Sequence, residues 1–264
     1  MHAQAQLYTL PVRDARERHD RHDRNRRDPA MAVIEHVYED SAVLAEAVAS
    51  RLHQACASAL AHRGHALLCL AGGRTPFPAY RQLAASEGID WEDVAIVPGD
   101  DRCVPWDHAA SNVASLRSAF SEAAGVRIGA LTTPDGDPGA SLLHARTMLS
   151  RHGDTFDAVV LGMGEDAHTA SLFPGARGLS AALAASARED AFLIHPEPLP
   201  PEAPYPRITL GLARLLRTRA IHLIVTGQRK REVLREAMAA NDPLRHPIAA
   251  VLRAARDVHV HWSP

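Results

Sequence analysis

The sequence has almost no lysine: of its 29 basic residues only Lys230 carries an ammonium, and all the others are arginine. Cysteine is scarce too. Cys56, Cys69 and Cys103 are odd in number, widely spaced and form no CxxC pair, which argues against a disulfide framework and against a structural zinc site. Apolar runs such as AIHLIV at 220–225 fall far short of the roughly 20 residues needed to cross a bilayer, and the N-terminus has no apolar core of a secretion signal. A surplus of one charge is also missing, because the formal net charge is -2, so no overall basic field recommends nucleic acid or an anionic membrane as partner. These absences leave a cytoplasmic protein that works on small molecules, and any anionic ligand must be held by local donors.

What is present is ordinary globular composition, 264 residues with 46% hydrophobic and 23% charged, enough for one large domain or two small ones. Residues 1–30, ending RDARERHDRHDRNRRDPA, are dense in Arg, Asp and His and poor in apolar side chains, so burial cannot offset their chain entropy and a disordered N-terminal extension is expected. Residues 31–264 read as a single domain, with no internal repeat and no linker rich enough to divide it. Within it, 41–62 places apolar residues at helical spacing, with Ser41 as the expected N-cap and Gly64 just past the end. HALLCLA at 65–71, bounded by glycine, suits a strand buried on both faces. VAIVP at 94–98, DAVVLGMG at 157–164, AFLIH at 191–195, IHLIVTG at 221–227 and DVHVHW at 257–262 read as further strands, alternating with helices at 111–120 and 228–240. PDGDPG at 134–139 and PEPLPPEAPYP at 196–206 read as loops. Strands alternating with helices predict an α/β fold, a mostly parallel Rossmann-like sheet with helices on both faces, which binds ligands at the carboxyl ends of its strands.

The chemistry-bearing residues follow strands. Gly72, Gly73, Arg74 and Thr75 lie between a strand and a helix that Pro76 can start; glycines let backbone approach a ligand, and free N–H groups at a helix start attract phosphate. A bare GG turn by itself marks only a turn. Asp100, Asp101 and Arg102 end the next strand, where they suit sugar hydroxyls or, as readily, an internal ion pair. The densest segment is Leu161–Pro174, in which Asp166 and His168 stand two residues apart on a glycine turn; histidine can take a proton from water without a large pKa shift, and a carboxylate beside it fixes its tautomer or binds hydroxyls. Arg207 and Lys230 begin later segments and could converge on one anion, whereas Arg229 and Arg231 read as solvated helix cations.

Taken in order, GGRTP, GDDRCVPWDHAASN, FDAVVLGMGEDAHTASLFPG, PRITL and VTGQRK closely resemble the 6-phosphogluconolactonase family over residues 33–262. The resemblance implies the sugar-phosphate isomerase-like fold shared with glucosamine-6-phosphate deaminases. It also implies hydrolysis of 6-phospho-D-glucono-1,5-lactone to 6-phospho-D-gluconate in the oxidative pentose phosphate pathway, with no metal and no organic cofactor. On that basis His168 is the general base, Asp166 orients it or the substrate, and Arg102 polarises the carbonyl. Gly72, Gly73, Arg74, Thr75, Arg207 and Lys230 hold the phosphate, and Asp100 with Arg102 shapes the sugar side of the pocket. The implied partner is the small phosphosugar lactone, with no nucleic acid and no membrane, and the implied state is a monomer or weak homodimer. The family usually has Glu at 101 and Gly at 167; if that turn takes φ > 0, Ala167 costs about 1 kcal/mol. Two alternatives are a deaminase-like ring-opening isomerase and a non-catalytic sugar-phosphate-binding regulator. A deaminase resembles D-E-Y at the second motif and carries an acid soon after its histidine, unlike Arg102 and TASLFPG here; a regulator would need a DNA-binding domain, for which thirty residues lack room.

Overall fold

The computed structural model describes residues 4–9, 32–151, 153–197, 204–240 and 242–264. Eight strands build the main sheet: β1 (Gln4–Thr9), β2 (Ala32–Val37), β3 (Ala66–Leu70), β4 (Val94–Pro98), β6 (Arg127–Ile128), β7 (Ala158–Gly162), β10 (Ile221–Thr226) and β11 (Asp257–Ser263). Their spatial order is β1-β2-β11-β10-β7-β3-β4-β6, and every pairing is parallel except that of β1 with β2. The expected parallel α/β architecture is therefore borne out. Helices α1 (Ser41–Arg63), α2 (Phe77–Ala84), α3 (Asn112–Ala119), α4 (Pro138–Arg151), α7 (Gln228–Ala240) and α8 (Pro247–Ala254) lie between the strands, with two short helices, α5 (Leu179–Ala182) and α6 (Leu212–Leu215).

Alternate side chains of the central strands feed two separate cores, as a sheet covered on both faces requires. Cys69, Val159 and Leu223 join one cluster, while Leu68, Leu70, Val160 and Ile224 join the other with α1 and α2. All five residues of β3 are buried, so its continuous apolar pattern is explained by contact on both sides. Strands β4, β3, β7 and β10 are consecutive neighbours running in one direction, and the loops that follow them all leave from the same end of the sheet.

Several expectations need correction. Asp40, not Ser41, caps α1: its carboxylate accepts from the N–H groups of Ala42 and Val43 at 2.8 and 2.9 Å, and a charged acceptor there also favours the helix dipole. Gly64 does close α1 in the left-handed region, at φ 74. Pro76 precedes α2 rather than lying in it, and Pro78 occupies the first turn. Residues 191–195 do not join the parallel alternation. Asp100–Arg102 (β5), Ala191–Ile194 (β8) and Arg207–Leu210 (β9) form a separate three-stranded antiparallel sheet in the order β5-β9-β8. β5 and β9 are too short and too polar at one end for alternation to reveal them. The loop expected at 134–139 gives way to α4 at Pro138. In the stretch expected to be disordered, Gln4–Thr9 pairs antiparallel with β2, because an edge strand offers unpaired backbone groups to any segment that can extend beside it; the rest of 1–30 lies outside the described residues.

One polar layer lies in the interior. His222 pairs with His259 and His261 with His36 across β10, β11 and β2, and neighbouring rings stack 5.1–5.3 Å apart. His36 Nε2 is 3.0 Å from His259 Nδ1, His222 Nδ1 is 3.1 Å from His261 Nε2, and the Tyr38 hydroxyl is 2.8 Å from His261 Nδ1. Each ring–ring bond needs one protonated and one bare nitrogen, so a second proton leaves two donors facing each other. Burial, reinforced by Arg51 and by the neighbouring rings, pushes His36 down to about 4 and His222 to about 3 and lowers His259 and His261 as well, Asp257 alone opposing the shift at His259. As pH falls below the ordinary histidine value of 6.5, the unfolded chain takes up protons before the folded one, so stability present above that value is lost toward about 4. Buried Asp101, pushed up to about 6, works in the opposite direction over part of this window, one group against four. The melting temperature should fall by at least about 5 °C between pH 7.5 and pH 5, a shift of roughly 1–2 kcal/mol at this size. A flat melting temperature over that range, followed by circular dichroism, would refute the account.

Candidate active site

The four loops that leave β3, β4, β7 and β10 line one cleft of about 1070 Å³. All ten residues picked from the sequence line it: Gly72, Gly73, Arg74 and Thr75 after β3, Asp100 and Arg102 on β5, Asp166 and His168 after β7, Arg207 on β9 and Lys230 in the first turn of α7. Among the described residues no group of three or more His, Cys, Asp or Glu side chains is arranged to hold a metal ion, and no helix is long and apolar enough to cross a membrane.

The loop after β7 is held from both ends. The Gly164 N–H donates to the His168 carbonyl at 3.0 Å, the Ala167 N–H to the Gly164 carbonyl at 3.1 Å, and the Thr169 hydroxyl to the Gly162 carbonyl at 2.8 Å. From outside, the Ile248 N–H at the start of α8 donates to the Ala167 carbonyl at 3.1 Å, and the Ser171 N–H donates to the Thr209 hydroxyl on β9 at 3.2 Å. Within this frame the Asp166 carboxylate takes the His168 ring at Nδ1, 2.5 Å away, and the His168 backbone N–H at 3.1 Å. Burial by itself would raise the Asp166 carboxyl, but the hydrogen bonds and charge of His168 outweigh it and hold the group below its ordinary value. An ionised carboxylate only accepts, so the Nδ1 it meets carries a proton, and in the neutral ring it is Nε2 that holds the lone pair. The ring stacks on Phe173 at 4.2 Å, and the Arg207 guanidinium lies 4.8 Å from the centroid of the same phenyl ring.

The cations are placed differently from one another. Arg102 and Arg207 stand opposite each other on β5 and β9, and both line the cleft. The two neighbours of Lys230 are engaged elsewhere: Arg229 lies 3.7 and 3.8 Å from Glu232 and Glu236, and Arg231 bonds Glu35 at 2.9 Å and covers the Trp262 ring at 3.9 Å. Lys230, half-buried, makes no ion pair with any described residue and lines the cleft. Asp101, which the sequence places beside Asp100 and Arg102, is turned away from the cleft: fully buried, it accepts from the N–H groups of Arg102, Asn112 and Val113 at 2.7–3.0 Å and so anchors the start of α3.

A family model described as glucosamine-6-phosphate isomerases/6-phosphogluconolactonase matches residues 39–262. The chain belongs to this family. It is 36% identical over 232 residues to the 6-phosphogluconolactonase of Pseudomonas aeruginosa, covering 86% of this chain and 91% of that one. It is 35% identical to that of Rhizobium meliloti, covering 89% of this chain and all of the other. The crystal structure of a 6-phosphogluconolactonase from Shewanella baltica superposes with a TM-score of 0.80 at 33% identity, over 87% of this chain and 97% of that one. A monomeric glucosamine-6-phosphate deaminase shares the fold, with a TM-score of 0.71 at 21% identity over 88% of this chain and 96% of its own.

Against the family pattern, Ala167 does sit in the left-handed region, at φ 62 with its methyl fully buried, and Ala170 follows at φ 48. The Asp166–His168 pair nevertheless forms, because the turn is over-determined by the hydrogen bonds from Ala167 itself and from Ile248. Phe173 and Asn112, which the sequence shows only as members of longer motifs without a role of their own, also line the cleft. Phe173 lies inside the His168 motif but signals only core, and Asn112 looks like an ordinary helix-start residue ten positions after Arg102. Gly164 is needed for close approach: a Cβ there would lie 2.2 Å from His168 Nδ1 and 2.5 Å from Asp166 Oδ1. In nitrogen-15 NMR spectra His168 should show a protonated Nδ1 at neutral pH, and Gly164→Ala should replace it with a mixture of tautomers. An unchanged His168 spectrum in that variant would contradict this geometry.

Proposed function

We propose that the protein hydrolyses 6-phospho-D-glucono-1,5-lactone to 6-phospho-D-gluconate, acting in the cytoplasm as a monomer or weak homodimer and needing neither metal nor organic cofactor. The observation that carries this reading is the Asp166–His168 pair, which holds the proton on Nδ1 and leaves Nε2 as a base in a cleft lined by Arg74, Arg102, Arg207 and Lys230. His168 Nε2 takes a proton from water as its oxygen adds to C1. The carbonyl oxygen, now an oxyanion, is met by Arg102, and the imidazolium formed on His168 is stabilised by Asp166. Collapse of this intermediate breaks the bond between C1 and the ring oxygen, and His168 returns its proton to that oxygen, which leaves as the C5 hydroxyl. The new carboxylic acid then ionises in water. A ring ester with an alkoxide leaving group protonated in this way requires no covalent nucleophile.

The 6-phosphate is held by the backbone of Gly72 and Gly73, the Thr75 hydroxyl, Arg74, Arg207 and Lys230. Support comes from the exposure of the Gly73–Thr75 turn at the entry to α2, from the unpaired state of Lys230 among the described residues, and from the names of the relatives above 30% identity. Asp100, buried between Ser171 and Asn112, faces the sugar side. A non-catalytic regulator would gain nothing from a histidine with a fixed tautomer, and the likeness to a deaminase, at 21% identity, is one of fold.

His168→Ala should lower lactonase activity, read as acid release from freshly made lactone, by about 100- to 10,000-fold while the melting curve stays near that of the wild type. A rate close to wild type would remove His168 as the base. Lys230→Ala should raise KM for the phosphorylated lactone roughly 10- to 100-fold, the worth of a charged hydrogen bond, and leave that for unphosphorylated gluconolactone nearly unchanged. Equal effects on the two substrates would exclude Lys230 from the phosphate site.

A further inference from the structure

Asn112 is the first residue of α3, 2% exposed, and it reaches the cleft. Its side-chain amide is used at both ends. Oδ1 accepts from Arg102 Nη1 at 2.8 Å, and Nδ2 donates to the Asp100 carbonyl at 2.8 Å and lies 3.4 Å from the Asp100 carboxylate. Turning the amide over would set its NH₂ against a guanidinium and its oxygen against a carbonyl, so the two partners define one orientation. The main-chain N–H of Asn112 is tied to Asp101 at 2.7 Å, which fixes the point from which the amide extends.

Arg102 depends on this contact. Its Nε has no hydrogen-bond partner among the described residues, and Nη1 is shared between Asn112 and the Ala110 carbonyl, 2.9 Å away. Arg207 stands opposite on β9. The loop after β3 is shaped around the same amide, since a Cβ on Gly72 would lie 2.1 Å from Asn112 Oδ1. One side chain thus touches the phosphate loop, the strand that carries Asp100 and Arg102, and the start of α3.

We propose that Asn112 is a positioning residue: by accepting from Arg102 and donating to Asp100 it aims the guanidinium at the place where the oxyanion of the lactone carbonyl develops. The proposal rests on the role given to Arg102 above. Only a neutral amide of this length supplies an acceptor and a donor at that point; aspartate supplies two acceptors and alanine neither.

The test is a double-mutant cycle on the full chain, with kcat and KM measured for the phosphorylated lactone in wild type, Asn112→Ala, Arg102→Ala and the double variant. Asn112→Ala should lower kcat about 100-fold, as expected for a catalytic group displaced by an ångström, with KM changed much less because the phosphate grip is intact. In the Arg102→Ala background the same substitution should have an effect within about twofold of none, the limit of additivity error. If Asn112→Ala fails to fold, Asn112→Ser, whose hydroxyl ends one bond short of both partners, replaces it in the same cycle with the same expectations. A wild-type kcat in the single variant, or an undiminished loss when Arg102 is already absent, would overturn the proposal. If Arg102→Ala itself retained wild-type activity, the role of Arg102 would fall and the proposal with it, whereas a damaged Arg102→Ala beside a normal Asn112→Ala would sink the proposal alone.

Discussion

Leu68 and Cys69 pair in parallel with Ala158 and Val159 in the middle of the main sheet, and at this junction the path of the chain divides. From β3 the chain moves outward to β4 and β6; from β7 it moves the opposite way, to β10 and β11. Segments that leave two adjacent parallel strands in opposite directions open a crevice at their carboxyl ends. The Gly72–Thr75 loop rises from one side of this crevice and the His168 loop from the other. The next strands out, β4 and β10, deliver Asp100 with Arg102 and Lys230 to the same end. Contact between β3 and β7 therefore decides that residues separated by more than a hundred positions share one solvent space. The apolar character of both strands holds that contact, since a buried leucine contributes roughly 2 kcal/mol and every residue of β3 is buried.

A second layer of control is polar. Asp101, Asn112, Ser171 and Thr209 are all buried, and each spends its hydrogen-bonding groups on the segments that carry the cleft side chains. A buried polar group left without a partner costs about 1–3 kcal/mol, so these contacts restrict the loops to few arrangements. The small antiparallel sheet belongs to this layer. By pairing β5 with β9 it sets Arg102 beside Arg207 and Asp100 beside Thr209, which in turn receives the loop of His168 through Ser171.

Electrostatics explains the distribution of basic residues. Arginines at 63, 217, 219, 229 and 231 are matched with carboxylates outside the cleft. Lys230 lies between two such arginines, yet the helix turns it toward the cleft, where no described acid meets it. A compact ammonium on a flexible stem can follow a phosphate as a ligand enters, while a planar guanidinium suits a fixed fork of acceptors. That the chain keeps its one lysine at this place is the compositional oddity with a structural counterpart.

Much of the fold was legible because burial on both faces writes continuous apolar runs, and these mark β3, β4, β7 and β10 without ambiguity. The site residues were legible for a related reason: glycines and charged groups cluster directly after such runs, at the strand ends where a parallel sheet opens its crevice. What could not be read were β5 and β9, whose stability comes from pairing with each other rather than from any pattern of their own, and the N-cap of α1, where two adjacent polar residues offer the same chemistry and geometry alone chooses Asp40. Asn112 was visible as the end of the GDDRCVPWDHAASN motif but carried no role there, since a helix-start asparagine is common and its value lies in what meets it. By itself the sequence determined the central parallel strands, which residues can do chemistry, and that the two alternate. Only the tertiary structure decided which strands are neighbours, that Asp101 turns inward while Asp100 faces the cleft, and that one amide joins Gly72, Asp100 and Arg102, because these depend on contacts between residues far apart in the chain, whose free energy no local pattern records.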